Sequence, residues 1–173
     1  MILKVKKIDE RAVVPQYAHN GDACFDLSVL IDSDANAPML YDYDISGRTK
    51  CFMKIDVNGN SVVMKPNSTL MFHTGLKFET EIGYNMKVHV RSSTGMKKNL
   101  ILSNGTGVID TAQYRGELMI GLTNIGNSEQ TVVDGERVAQ AEMVKTLDVD
   151  IVEVDELSDT ERGEGGIGST GGH

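Results

Sequence analysis

Asp110 is where a chemical reading of this sequence begins. It closes the stretch Asn104-Gly105-Thr106-Gly107-Val108-Ile109-Asp110, in which an apolar pair runs directly into a carboxylate at a turn. A carboxylate at the mouth of an apolar strand is partly desolvated and well placed to take a proton from water; an Asp that merely starts a turn is the common alternative. Tyr114 offers an aromatic face for stacking on a sugar or base, with rim packing as its plain reading. Arg91-Ser92-Ser93 ends an alternating run, so a guanidinium, two hydroxyls and backbone N–H groups can converge on one anion. Gln140, in Gly135-Glu136-Arg137-Val138-Ala139-Gln140, can donate its amide to a phosphate. Asp26, in Ala23-Cys24-Phe25-Asp26-Leu27, can help to hold a hydrated magnesium ion through one carboxylate. Each of these residues also has a bland reading as a loop or surface side chain, and none is specific alone.

The stretch Arg162-Gly163-Glu164-Gly165-Gly166-Ile167-Gly168-Ser169-Thr170 adds a further anion-binding candidate. Gly163 and Gly168 have the separation of a phosphate loop, GxxxxGK(S/T), but serine stands where that loop needs its lysine, so the phosphate loop is rejected. What remains is a run of glycine N–H groups able to form a concavity around an anion, with Arg162 adding a bidentate contact and Ser169 and Thr170 adding hydroxyls. A disordered Gly-rich tail is the alternative, and it weakens only if the rest of the chain supplies phosphate chemistry.

Alternation of period two supplies the elements that must position these groups. It is clearest in Met86-Lys87-Val88-His89-Val90 and recurs in 3–8, 61–64, 69–73, 100–102, 117–123, 130–133 and 149–154. Asn58-Gly59, Ile82-Gly83, Asn104-Gly105 and Asp134-Gly135 punctuate the runs as turns. Many short strands at regular spacing predict an all-β sandwich or barrel, with one helical turn near 93–98 where the alternation lapses. Residues 32–60, rich in Asp and Asn, predict a surface excursion carrying a β-hairpin in which 50–57 pairs with 61–64; a contact surface for an unknown protein partner is the other reading. The 173 residues suit one domain, 1–157, followed by a tail, 158–173. A net charge of −8 excludes a global basic field for a nucleic-acid polymer, so a polyanion would be met by local arginines and a divalent cation. Cys24 and Cys51 form no CxxC pair, and no apolar run has the length of a signal peptide or a membrane span, so the expected location is cytoplasmic, in a host if the protein is viral.

Five stretches in order resemble the five motifs of the trimeric deoxyuridine triphosphatases. ACFDL is similar to AGYDL, VRSSTG to PRSGLA, NGTGVIDTAQYRGEL to GVIDxDYRGEL, GERVAQ to GDRIAQ, and RGEGGIGSTG to RGxGGFGSTG. Residues 32–60 fall outside the resemblance, as an insertion between the first and second motifs. The resemblance implies a jelly-roll-like β subunit and a homotrimer with shared active sites. One subunit would lend the first, second and fourth motifs, a neighbour the third, and the last subunit its tail. It implies hydrolysis of dUTP to dUMP and pyrophosphate, limiting uracil in DNA and supplying dUMP, with Asp110 as the general base that orients water toward the α-phosphorus. Gly107, Val108, Ile109 and Met119 would hold uracil, with Asn104 on its base or phosphate side, and Tyr114 would stack on deoxyribose. Arg91, Ser92, Ser93 and Gln140 would bind phosphates, and Asp26 would support Mg2+ through water. Arg162, Ile167, Gly168, Ser169 and Thr170 would close over the nucleotide.

Three departures qualify this. Ile167 stands where the family has a stacking Phe, which implies a weaker lid. Cys24 replaces a glycine. Thr111-Ala112-Gln113-Tyr114 has one residue more than the family spacing, so either the turn bulges and Tyr114 still reaches the sugar, or Gln113 takes its place. The related dCTP deaminases need a Glu on the strand after the third motif; Gly121-Leu122-Thr123-Asn124 has none, which disfavours deamination. A non-catalytic nucleotide sensor using 32–60 is the remaining alternative.

Overall fold

Strands form here wherever one face of a short alternating run can be buried. The computed structural model describes residues 1–31, 39–43, 50–54 and 60–166. Along the chain lie β1 (Lys4–Lys7), β2 (Phe25–Ser28), β3 (Met39–Tyr43), β4 (Lys50–Lys54), β5 (Ser61–Met64), β6 (Thr69–His73), β7 (Leu76–Glu79) and β8 (Tyr84–Val90). The helix α1 (Ser92–Lys98) follows, then β9 (Leu100–Leu102), β10 (Gly107–Ile109), β11 (Met119–Asn124), β12 (Gln130–Val133) and β13 (Arg137–Lys145). The fold is all-β, with one short helix among the described residues.

Two larger sheets, ordered β10-β8-β13-β2 and β4-β3-β6-β11-β9, enclose the core, and the pairs β1-β7 and β12-β5 flank them. Alternate residues of β2, β8 and β13 (Phe25, Leu27, Met86, Val88, Ala139 and Ala141) meet Leu70, Phe72, Leu100, Ile120 and Leu122 of the facing sheet in one buried cluster. The opposite faces of the same strands are left free for chemistry. Asn99 ends α1 in the left-handed conformation at φ 51°, with Lys97 and Lys98 favourably placed at its C-terminal turn. The turns at Ile82-Gly83, Asn104-Gly105 and Asp134-Gly135 each put glycine at positive φ. Asn58-Gly59 lies outside the described residues. No helix among the described residues is long and apolar enough to cross a membrane.

Two strand expectations fail. The run 50–54 pairs with Met39–Tyr43 and not with Ser61–Met64, which pairs instead with Gln130–Val133. β3 also reaches β6 through Met39↔Met71 and Leu40↔Leu70, so β3 and β4 extend the five-stranded sheet. Val149–Val154 alternates but forms no strand; Ile151 is 95% exposed and Leu147, Val149, Val152, Val154 and Leu157 are exposed with it. Alternation specifies a face, but a strand also needs a partner edge, and 149–154 has none among the described residues.

Candidate active site

β13 runs between β8 and β2, and Gln140 stands opposite both His89 and Asp26. Because the neighbours of these residues point into the core, Asp26, His89 and Gln140 share the outward face. Arg91 follows the last residue of β8 and joins them. Its Nε ion-pairs with Asp26 Oδ1 at 2.8 Å, and Arg137 Nη1 donates to Asp26 Oδ2 at 3.0 Å. Arg91 Nη1 also donates to the Arg137 carbonyl at 3.1 Å. One carboxylate thus holds two guanidinium groups side by side, an arrangement suited to a multiply charged anion. Arg91, Arg137 and Ser93 line a cleft of about 280 Å³ together with Lys97 and Lys98, while Ser92 is exposed at the start of α1. Lys98 is already committed to Glu136 and to the Thr131 carbonyl. Both Asp26 oxygens are occupied by arginines, so this carboxylate fits a magnesium ion only through water.

A second cluster forms around β10. Among the described residues this is an edge strand, paired to β8 alone through Gly107↔Val88, Val108↔Lys87 and Ile109↔Met86. Val108 is exposed, and Ile109 packs on the core. The chain then makes one helical turn, in which the N–H groups of Gln113 and Tyr114 donate to the Asp110 carbonyl at 2.8 and 2.7 Å. Arg115 ties the turn from outside, donating to the carbonyls of Thr111, Ala112 and Tyr114. That turn absorbs the additional residue, and Tyr114 rather than Gln113 reaches the cleft. The tyrosine ring lies across Gly116, where a Cβ would sit 2.1 Å from the Tyr114 hydroxyl oxygen. Val108, Ile109, Asp110, Tyr114, Glu117 and Met119 line a cleft of about 250 Å³. An adjoining groove of about 350 Å³ shares Ile109 and Met119 and adds Asn104 and Gly107. All the residues expected to hold the base therefore surround two contiguous hollows. Asp110 itself is exposed, contrary to the expectation of partial desolvation, because it turns outward from a strand with no neighbour on its free side.

Glu117 carries no role in the sequence reading, yet it organises this wall. Its Oε1 accepts from the N–H groups of Thr74 (3.1 Å) and Gly75 (2.7 Å), its Oε2 meets His73 Nδ1 at 2.9 Å, and its carbonyl accepts from the Tyr114 hydroxyl at 3.1 Å. Burial alone would raise the Glu117 carboxyl; the hydrogen bonds from His73, Gly75 and Thr74 and the charge of His73 outweigh it and hold the group below the ordinary Glu value. The signal was a Glu directly after an Arg-Gly pair, but its partners lie 42 to 44 positions away and are mostly backbone.

The two clusters stand at opposite ends of β8. Ile109 faces Met86, and Arg91 lies five residues further along, which at strand rise is roughly 17 Å. One chain therefore does not bring Asp110 and Arg91 together. Arg162 is exposed and bends onto its own segment, its Nε donating to the Gly165 carbonyl at 2.8 Å. Ile167, Gly168, Ser169 and Thr170 lie outside the described residues.

The dUTPase family model matches residues 55–171, a span that includes Arg91, Asp110, Gln140 and Arg162 but not Asp26. The deoxyuridine 5'-triphosphate nucleotidohydrolase of Nautilia profundicola is 35% identical over 171 residues, covering 99% of each protein. Among solved structures, the Staphylococcus bacteriophage 80alpha dUTPase with dUPNHPP is similar at a TM-score of 0.74 and 23% identity, over 98% of both chains. A mutant dUTPase from phage phi11 of S. aureus, solved with a coordinated structural Mg(II) ion, is similar at a TM-score of 0.68 and 19% identity, over 92% of this chain and 100% of that one. At such identities the two structures speak for the fold.

Proposed function

The chain belongs to the dUTPase family and is a dUTP diphosphatase, and from that premise we propose how its residues hydrolyse dUTP to dUMP and pyrophosphate. Asp110 acts as general base: it takes a proton from a water whose oxygen bonds to the α-phosphorus, while the bond from that phosphorus to the α,β-bridging oxygen breaks and pyrophosphate leaves. The observation that carries this reading is the placing of Asp110 at the rim of a cleft walled by Val108, Ile109, Tyr114 and Met119. An edge strand leaves alternate N–H and C=O groups unpaired, and a uracil imide presents the complementary acceptor–donor–acceptor row. A base with the wrong row would leave polar groups unsatisfied, which is where large discrimination arises. Tyr114 covers the deoxyribose, with its ring fixed over Gly116.

The phosphates fall to Arg91, Ser92, Ser93 and Gln140, with Arg137 beside them. Asp26 would meet a magnesium ion through water, and the ion would screen the triphosphate charge. Since Asp110 and Arg91 lie far apart in one chain, a complete site takes the β10 cluster from one subunit and the arginine cluster from another, in a homotrimer. The exposed apolar run 147–157 is consistent with such an assembly. Arg162 and the residues after it close over the nucleotide.

The test is pyrophosphate release from dUTP, dCTP, dTTP and UTP, with and without magnesium. Turnover confined to dUTP is expected, and Asp110→Asn should lower kcat by about 10²–10⁴-fold while a non-hydrolysable dUTP analogue still binds. An Asp110→Asn enzyme with undiminished turnover would sink the assigned mechanism.

A further inference from the structure

Residues 114–118 build the cleft wall without belonging to a strand. An irregular segment at the edge of a binding cleft is held only by the contacts it makes, and here its ties to residues 73–76 pass through Glu117 and its neighbour. The Glu117 carboxylate is anchored on the backbone of the 73–75 turn and on His73. Thr74 Oγ1 donates to the Leu118 carbonyl at 2.7 Å, and the Leu118 N–H donates to the Leu76 carbonyl at 2.9 Å. From that anchored base the Glu117 carbonyl takes the Tyr114 hydroxyl. The side chains of His73 and Glu117 are only 19% and 17% exposed, so the anchor is shielded from competition by water.

We propose that Glu117 is a positioning residue for sugar discrimination: clamped to the 73–75 turn, it fixes the height at which the Tyr114 ring closes the cleft beside Asp110. The inference rests on the reading of that cleft as the nucleoside site. A wall held at fixed height rejects a sugar bearing an additional hydroxyl, whereas a wall free to retreat admits it. Met119 is paired with His73, the clamp's own partner, so loss of the clamp loosens the base end as well.

The experiment compares kcat/KM for dUTP and UTP, with melting temperature, in wild type, Glu117→Ala, Glu117→Gln and Tyr114→Phe. Glu117→Ala should raise KM for dUTP and narrow the dUTP/UTP preference, each by about tenfold, the scale of one or two lost hydrogen bonds. Glu117→Gln keeps an oxygen for the two N–H groups and an amide for His73, and should restore the preference to within about threefold of wild type. Tyr114→Phe cuts only the tether to the Glu117 carbonyl and should narrow the preference at an unchanged melting temperature. A merely structural Glu117 would lower the melting temperature of the alanine variant and leave the dUTP/UTP ratio alone, and that result overturns the proposal. Should Glu117→Ala fail to fold, an unchanged ratio in Tyr114→Phe overturns it instead. Wild type inert toward dUTP would remove the underlying reading of the cleft, an outcome separate from either.

Discussion

At Glu117 two opposing influences act on one carboxyl: burial, which favours the neutral acid, and a ring of donors, which favours the anion. The donors win, so the folded-state value lies below the unfolded one. A depressed carboxylate contributes stability at pH values above its unfolded value, about 4.3, and loses that contribution as the pH falls through the folded value. Urea unfolding followed from neutrality downward should therefore show wild type losing stability below about pH 4 more steeply than Glu117→Gln, which has no proton to take up. Parallel acid limbs for the two proteins would mean that the carboxylate is not held in the way the geometry indicates.

The 73–75 turn that receives Glu117 depends on Gly75. Its φ of +68° disfavours any side chain, and a Cβ there would sit 2.7 Å from Leu30 Cδ1 and 2.8 Å from Ala12 Cβ. Strain and overpacking should make Gly75→Ala destabilising by about 2–4 kcal/mol in urea unfolding. Gly83→Ala, at φ +93° with nothing within 4 Å of the new Cβ, meets no such packing clash and should cost about 1–2 kcal/mol. At this scale the sequence was legible where burial is one-sided: 61–64, 69–73, 86–90 and 130–133 alternate, and they lie in strands. It was less legible for β10, where Gly107-Val108-Ile109 shows no alternation, and β7 lies outside the runs read as strands although Leu76-Lys77-Phe78-Glu79 alternates. It misled at 149–154, where the pattern is present and the ladder is not. The chemistry-bearing side chains around the cleft were readable from their types and order. Their division between the two ends of β8 was not readable from types and order, because register follows from pairing; only the family resemblance implied that the third motif serves another subunit's site.

For the whole molecule, the separation of Asp110 from Arg91 sets a test of shared sites. Asp110→Asn and Arg91→Ala proteins, each nearly inactive, should regain dUTP hydrolysis when unfolded together and refolded as a mixture, since a pocket taking its arginine from the first protein and its aspartate from the second is intact. No recovery above the two parents, with mixed assemblies verified by mass, would place both residues in one subunit's pocket. On the same reading, a lesion at either tip of β8 would spoil one pocket of a shared-site assembly, whereas one that bends its middle would reach both tips and spoil two.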